Sequence, residues 1–300
     1  MTNRKADWPL YRPAVRGLML LLNKAAAKIS LLVFVVTLLA LDMSSMKALA
    51  ADLWERWRAH DDTSMKHVDH SVWETILLNY LRPGGDGIHR FAYGKVKPSD
   101  HEALDSYLQA QSKIDIAGYR QNEQMAYWIN LYNALTIDLI LDHYPIASIQ
   151  KLRDSTSGRR KGPWDRELIT VDGVSLSLND IEKRILKPIW QDQRVQYALS
   201  CGAIGCPNLQ PTPYSGRDLE MQLSDAAMAY VNDERCIMID GDKLRVSSIY
   251  RWNIQDFGGS DQSIIHHLMA YAAPDLAMSL QKFDRIHGDG FDWRLNDITE

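Results

Sequence analysis

The chain has 300 residues, with 34 Lys+Arg against 38 Asp+Glu, a formal net charge of −4, 46% hydrophobic residues and 24% charged residues. These ordinary globular values exclude a disordered, collagen-like or fibrous chain, and the length suits one large domain or two small ones. The charge is uneven: the first 50 residues carry seven basic and two acidic side chains, and the other 250 have a net charge of −9. A body that acidic has no diffuse attraction for nucleic acid or anionic lipid, and no nucleic-acid motif is present.

In chain order, basic residues lead into the 13-residue apolar run Ile29–Leu41. That run is short for a bilayer span and suits the core of a signal peptide. Ala48-Leu49-Ala50 follows as an A-x-A site, so the sequence predicts cleavage after Ala50 and a periplasmic or secreted body over 51–300. The alternative is an uncleaved N-terminal membrane anchor. A start at Met19 rather than Met1 would give a basic region of more usual length. Once the signal is removed, no stable membrane insertion is expected.

Helical spacing predicts helices over Ser71–Leu81 and Asp100–Gln111, separated by the turn-rich Pro83–Gly87 and a short strand over Ile88–Tyr93. Glu123–Leu141 is apolar nearly all round, as expected of a helix at the centre of a fold. A basic loop over 150–163 precedes a hairpin centred on Asp172-Gly173. Ser177–Asp180 has the form of a capping box, opening a helix over Leu178–Leu186 that stops before Pro188. Val195–Leu199 reads as a strand running into Ser200-Cys201. Ser215–Asp218 caps a further helix, Asp240–Lys243 turns a second hairpin, and helices follow around Ile264–Tyr271 and Pro274–Leu280. With no long linker, the expectation is one α+β domain with a buried central helix and a small antiparallel sheet.

Ser200-Cys201-Gly202-Ala203-Ile204-Gly205-Cys206-Pro207 is the most distinctive segment. A cysteine at a strand end followed by small residues suits a nucleophile, with N–H groups of the turn available to an oxyanion. Equally open are a Cys201–Cys206 disulfide in an exported protein and plain structural thiols. The third cysteine, Cys236, makes the count odd, so at least one thiol is free or intermolecular. On the buried helix, Glu123, Asn130 and Asn133 share one face and must hydrogen-bond to backbone, water or substrate. His67 with His70 and His266 with His267 lack the partners or geometry of a metal set, and no nucleotide-binding loop or serine-hydrolase elbow is present, so no metal and no cofactor is expected.

Longer motifs run from Tyr127 to Ala134, through Tyr144-Pro145, Gly162-Pro163-Trp164, Ser177–Glu182, Cys201–Pro207 and Asp256-Phe257-Gly258, to Phe291–Asp297. Together they resemble the family catalogued as domain of unknown function 547, in its exported bacterial branch, over nearly all of Leu53–Asp297. The family's activity is not established. The resemblance implies a thiol enzyme of the papain or transglutaminase kind, with Glu123, Asn130, Asn133, Glu182 and Cys201 as the positions of interest. This chain departs from the family pattern at two places: Lys183 and Gln196 stand where the family typically has His. Two functions follow. One is an exported thiol-dependent hydrolase or acyltransferase on amide or peptide-like substrates, with Cys201 as nucleophile, Asn130 or Asn133 orienting and Glu182 polarising a base. The other is a non-catalytic binding or structural paralogue that holds a small-molecule or peptide-like ligand and bonds Cys201 to Cys206.

Overall fold

The longest helix organises the molecule. In the computed structural model, which describes residues 54–152 and 162–298, helix α3 runs from Gln121 to Leu141, and Asp138 is the one side chain between Glu123 and Ile140 that is not buried. A helix buried on nearly all its faces is stable only when surrounded, and even its polar residues Glu123, Asn130 and Asn133 are buried. Helix α1 (Ser71–Tyr80) starts where the Asp69 carboxylate accepts the Ser71 N–H at 2.9 Å. Helix α2 (Pro98–Gln111) starts on proline, whose missing N–H costs nothing in a first turn, and packs along α3.

Strands β1 (Leu81–Pro83) and β2 (His89–Phe91) form an antiparallel pair, as do β3 (Ile169–Val171) and β4 (Val174–Leu176). The turn between β3 and β4 puts Asp172 and Gly173 at φ 47° and 73°, the twin left-handed residues that a tight hairpin requires. Strands β5 (Ile237–Asp240) and β6 (Lys243–Ser247) pair antiparallel, and β7 (Gly288–Gly290) joins β6 in parallel, so this third sheet is mixed. The architecture is α+β.

Two segments differ from expectation. The helix expected to stop before Pro188 instead runs on: Asp180–Leu186 is π-helical, with the Lys187 N–H on the Glu182 carbonyl, and helix α4 (Lys187–Trp190) follows. Pro188 falls in the first turn of α4, where its missing N–H breaks no bond, and termination comes at Gln191 in the left-handed region. The run expected as a strand, Val195–Leu199, is a single helical turn, α5 (Val195–Ala198). The Asp192 carboxylate accepts the Arg194 N–H and the Asp192 carbonyl accepts the Val195 N–H, which winds the chain before any sheet edge can take it. A run this short, apolar but for Gln196, has no period that separates the two states.

Helices α6 (Leu219–Val231), α7 (Ser248–Trp252), α8 (Asp261–Tyr271) and α9 (Pro274–Leu280) complete the fold. Two hydrophobic cores result. The larger surrounds α3, and the smaller gathers α6, β6, α7 and α8 around Tyr197, Tyr230 and Tyr250. Among the described residues no helix is long and apolar enough to cross a membrane. The expected signal over 1–50, its cleavage point at Ala50 and most of the basic loop lie outside the described residues.

Candidate functional site

The polar face of α3 meets backbone. The Asn130 Nδ2 donates to the Tyr214 carbonyl at 2.7 Å, and its Oδ1 accepts the Tyr214 N–H at 2.9 Å. Asn133 repeats the clamp one turn on: Nδ2 donates to the Ala198 carbonyl at 2.9 Å, and Oδ1 accepts the Ser200 N–H at 2.8 Å. The Glu123 carboxylate accepts N–H groups from Val68 at 2.8 Å and Gly216 at 3.1 Å. Only glycine fits at 216, since a Cβ there would lie 2.8 Å from the Glu123 backbone nitrogen. Three helix residues thus anchor three distant loops, one of which leads into Cys201. None of the three lines the cleft described next.

That cleft, about 350 Å³ in volume, lies between the two cores. The π-helical segment supplies Glu182 and Lys183, α5 supplies Gln196, and the following loop supplies Cys201. Four of the eight residues singled out from sequence therefore line one cavity. Aromatic side chains line it too, and no composition argument anticipated them. Phe291 and Trp293 lie 4.5 Å apart between ring centres, Trp252 lies 4.9 Å from Phe291, and Trp164 meets Trp293 edge-on at 5.6 Å. Trp252 keeps 53% of its surface exposed. Phe291 and Trp293 belong to the Phe291–Asp297 motif, and their partners come from α7 and from the turn at Pro163–Asp165.

Charges in the cleft are mostly paired. Glu182 holds the Lys187 ammonium at 2.6 Å, and that ammonium also reaches Asp256 at 3.0 Å and the Asn253 Oδ1 at 2.8 Å. Arg184 pairs with Asp180. Lys183, exposed at the cleft, makes no ion pair among the described residues. Asp165 accepts a hydrogen bond from the Asn179 Nδ2 at 2.6 Å. Tyr132 closes the floor, and burial pushes its phenol well above the ordinary value, so it stays neutral.

Gln196 stands apart. It is 8% exposed, and its side-chain nitrogen is sealed from solvent with no hydrogen-bond partner. Among the described residues that line the cleft, no other carries such an orphaned buried polar atom.

Cys201 and Cys206 are joined as a disulfide, with Cα atoms 5.9 Å apart. Neither sulfur is then a thiolate. Cys201 follows a helical turn and a loop, not the strand end expected. Four N–H groups of the loop are already committed: Ala203 donates to the Cys206 sulfur, Ile204 to the Arg294 carbonyl, Gly205 to the Asp292 carbonyl and Cys206 to the Ala203 carbonyl. No histidine lines the cleft among the described residues. Cys236 is the free thiol, buried against the Tyr250 hydroxyl at 3.1 Å, and burial pushes it up to about 12.

The histidine pairs noted in the sequence serve as braces. His70 Nδ1 lies 2.7 Å from the Tyr107 hydroxyl, His267 Nε2 lies 2.7 Å from the Tyr197 hydroxyl, and His67 reaches Glu123 at 3.5 Å. A different set, His101 on α2 with Asp138 and Asp142 at the end of α3, brings one ligand atom each within 4.8 Å of the others. The i, i+4 spacing of the two aspartates was its sequence signal. His101 Nε2 already bonds Asp138 at 3.1 Å, which satisfies both without an ion.

The fold and cleft define a helix-rich α+β protein with an aromatic-walled cavity bordered by a cysteine pair. Residues 116–231 match the family model described as "Protein of unknown function, DUF547". All eight residues singled out from sequence fall inside the matched span, whereas Trp252, Phe291 and Trp293 fall outside it. No curated protein and no solved structure matches the chain.

Proposed function

We propose that this chain is an exported ligand-binding protein, and that its cleft holds a small amide- or peptide-like molecule. The observation that carries the reading is convergence: Glu182, Lys183, Gln196 and Cys201 line one cavity with an exposed aromatic wall. A concave, largely apolar site with a few placed polar groups is the usual form of a small-molecule site. The absence of the two family histidines, at Lys183 and Gln196, and the bonding of Cys201 to Cys206 favour binding over thiol chemistry. Residues 1–50 act in this reading as the export signal, and the oxidising destination keeps the pair bonded.

A second reading rests on the position of Cys201 in the cleft wall. On reduction its sulfur would face the same cavity as Glu182 and Gln196, where a thiolate attacks an amide carbonyl. Iodoacetamide separates the two. The binding reading expects no alkylation at Cys201 or Cys206 until a reductant is added, with slow labelling of Cys201 thereafter. Rapid labelling at neutral pH in the unreduced exported protein would overturn it and favour the thiol enzyme.

A further inference from the structure

Carboxamides in this protein have a consistent use. Asn130 and Asn133 each donate to a carbonyl and accept an N–H, grasping a peptide backbone at two points. Gln196 carries the same group on a longer stem and grasps nothing in the protein. A buried amide nitrogen without an acceptor destabilises the fold, and a ligand in the adjoining cavity can supply the missing partner. The natural complement of a carboxamide is another amide, which offers one N–H and one carbonyl in the same plane.

Two further features narrow the ligand. Of the cations on the π-helical turn and the start of α4, Arg184 and Lys187 are committed to carboxylates, and Lys183 is not. Of the acidic groups of the cleft, Glu182 is paired with Lys187, and Asp165 accepts the neutral Asn179 amide and keeps its charge. Lys183 is therefore the cation at the cleft that has no carboxylate partner among the described residues. The same cleft is lined by Trp252, Phe291 and Trp293, which suit an apolar side chain.

We propose that the cleft takes the C-terminal end of a peptide, with its last amide clamped by Gln196, its carboxylate at Lys183 and a large apolar side chain against Trp252, Phe291 and Trp293. This rests on the ligand-binding reading of the cleft. No bond is made or broken.

Calorimetric titration of the oxidised protein tests it with N-acetyl-alanyl-phenylalanine as the free acid, the same peptide as its C-terminal amide, and N,N′-diacetylchitobiose. The acid is expected to bind about tenfold more tightly than the amide at low salt, with the ratio shrinking as salt screens the charge. Lys183→Met should make acid and amide equal without weakening the amide. Gln196→Leu should weaken both about tenfold, as should Trp252→Ala. Equal binding of acid and amide to the native protein would overturn the carboxylate assignment and leave the cleft reading standing. Binding of the disaccharide alone would overturn the ligand class, again leaving the cleft. Peptide binding that ignores all three substitutions, or no binding of any probe at millimolar concentration, would remove both.

Discussion

The inner face of α3 and the wall of the cleft treat buried polar side chains in opposite ways. On α3, Glu123, Asn130 and Asn133 give every lone pair and proton that matters to loop backbone more than 50 residues away in sequence. In the cleft, Gln196 is 8% exposed, and its buried nitrogen has no hydrogen-bond partner. Both groups are amides or carboxylates on apolar helices, so residue type does not distinguish them. What distinguishes them is whether the fold supplies the partner. A matched polar group is framework, and an unmatched one next to a cavity waits for something from outside.

Asn133→Ala should break this contrast most violently. It strips partners from the Ala198 carbonyl and the Ser200 N–H, both buried, and opens a small void. Two unsatisfied buried groups at about 1–3 kcal/mol each predict a loss of about 2–5 kcal/mol in urea unfolding. A loss below about 1 kcal/mol would mean that the clamp is ornamental.

Acid should weaken the framework next. Burial lowers His70 and His267 to about 4, and both are held neutral against tyrosine hydroxyls. A histidine whose folded value is depressed contributes stability above its ordinary value near 6.5. That contribution is lost as pH falls from there towards 4, because the unfolded chain takes the proton first. At pH 5 the loss is up to about 2 kcal/mol per histidine. Asp138 works in the other direction: burial, with Asp105 and Asp142 nearby, raises it to about 7. Its stabilisation is present below the ordinary carboxylate range and fades as pH rises to about 7. Melting temperatures across pH 4–8 for the native protein, His267→Gln and Asp138→Asn should separate the two slopes, with opposite signs.

The cysteine pair joins the two regions, since Cys206 is buried in the framework and Cys201 faces the cleft. Closing so short a loop is worth about 2 kcal/mol by chain entropy. Reduction should cost about that much in unfolding free energy, and Cys201→Ser with Cys206→Ser should match the reduced protein within about 0.5 kcal/mol. A double variant much less stable than the reduced protein would show that the sulfurs pack as well as bond.

Much of the framework was readable in the sequence, because helices advertise themselves by period. The buried helix, both hairpins and the capping residues at Ser177, Asp180, Ser215 and Asp218 follow from local rules. The polar residues on α3 stood out as anomalies, yet their partners could not be read, since Tyr214, Ala198 and Gly216 arrive by tertiary folding. The cleft was half legible. Glu182, Lys183, Gln196 and Cys201 were named from motifs, while the aromatic wall unites three separate segments that no local pattern connects. The ion pair of Glu182 was missed for a simpler reason: π-helical spacing brings it to Lys187, five residues on. The strand expected over Val195–Leu199 failed because four apolar residues carry too little period to choose, and the Asp192 side chain chose for them.

The smallest effect is the sharpest test of the contrast. Gln196→Leu removes a carboxamide that the protein leaves unpaired and replaces it with an apolar side chain of similar size. Removing an unsatisfied buried group relieves a desolvation cost, so the variant should lie within about 1 kcal/mol of the native protein and on the stable side. The same kind of change at Asn133 is ruinous. If urea unfolding instead gives losses of similar size at both positions, Gln196 belongs to the framework, and the line between the two regions falls elsewhere. If Gln196→Leu is neutral for stability while the peptide titration loses its amide recognition, the orphaned carboxamide is kept for a ligand, and the stability it forgoes is the measure of that use.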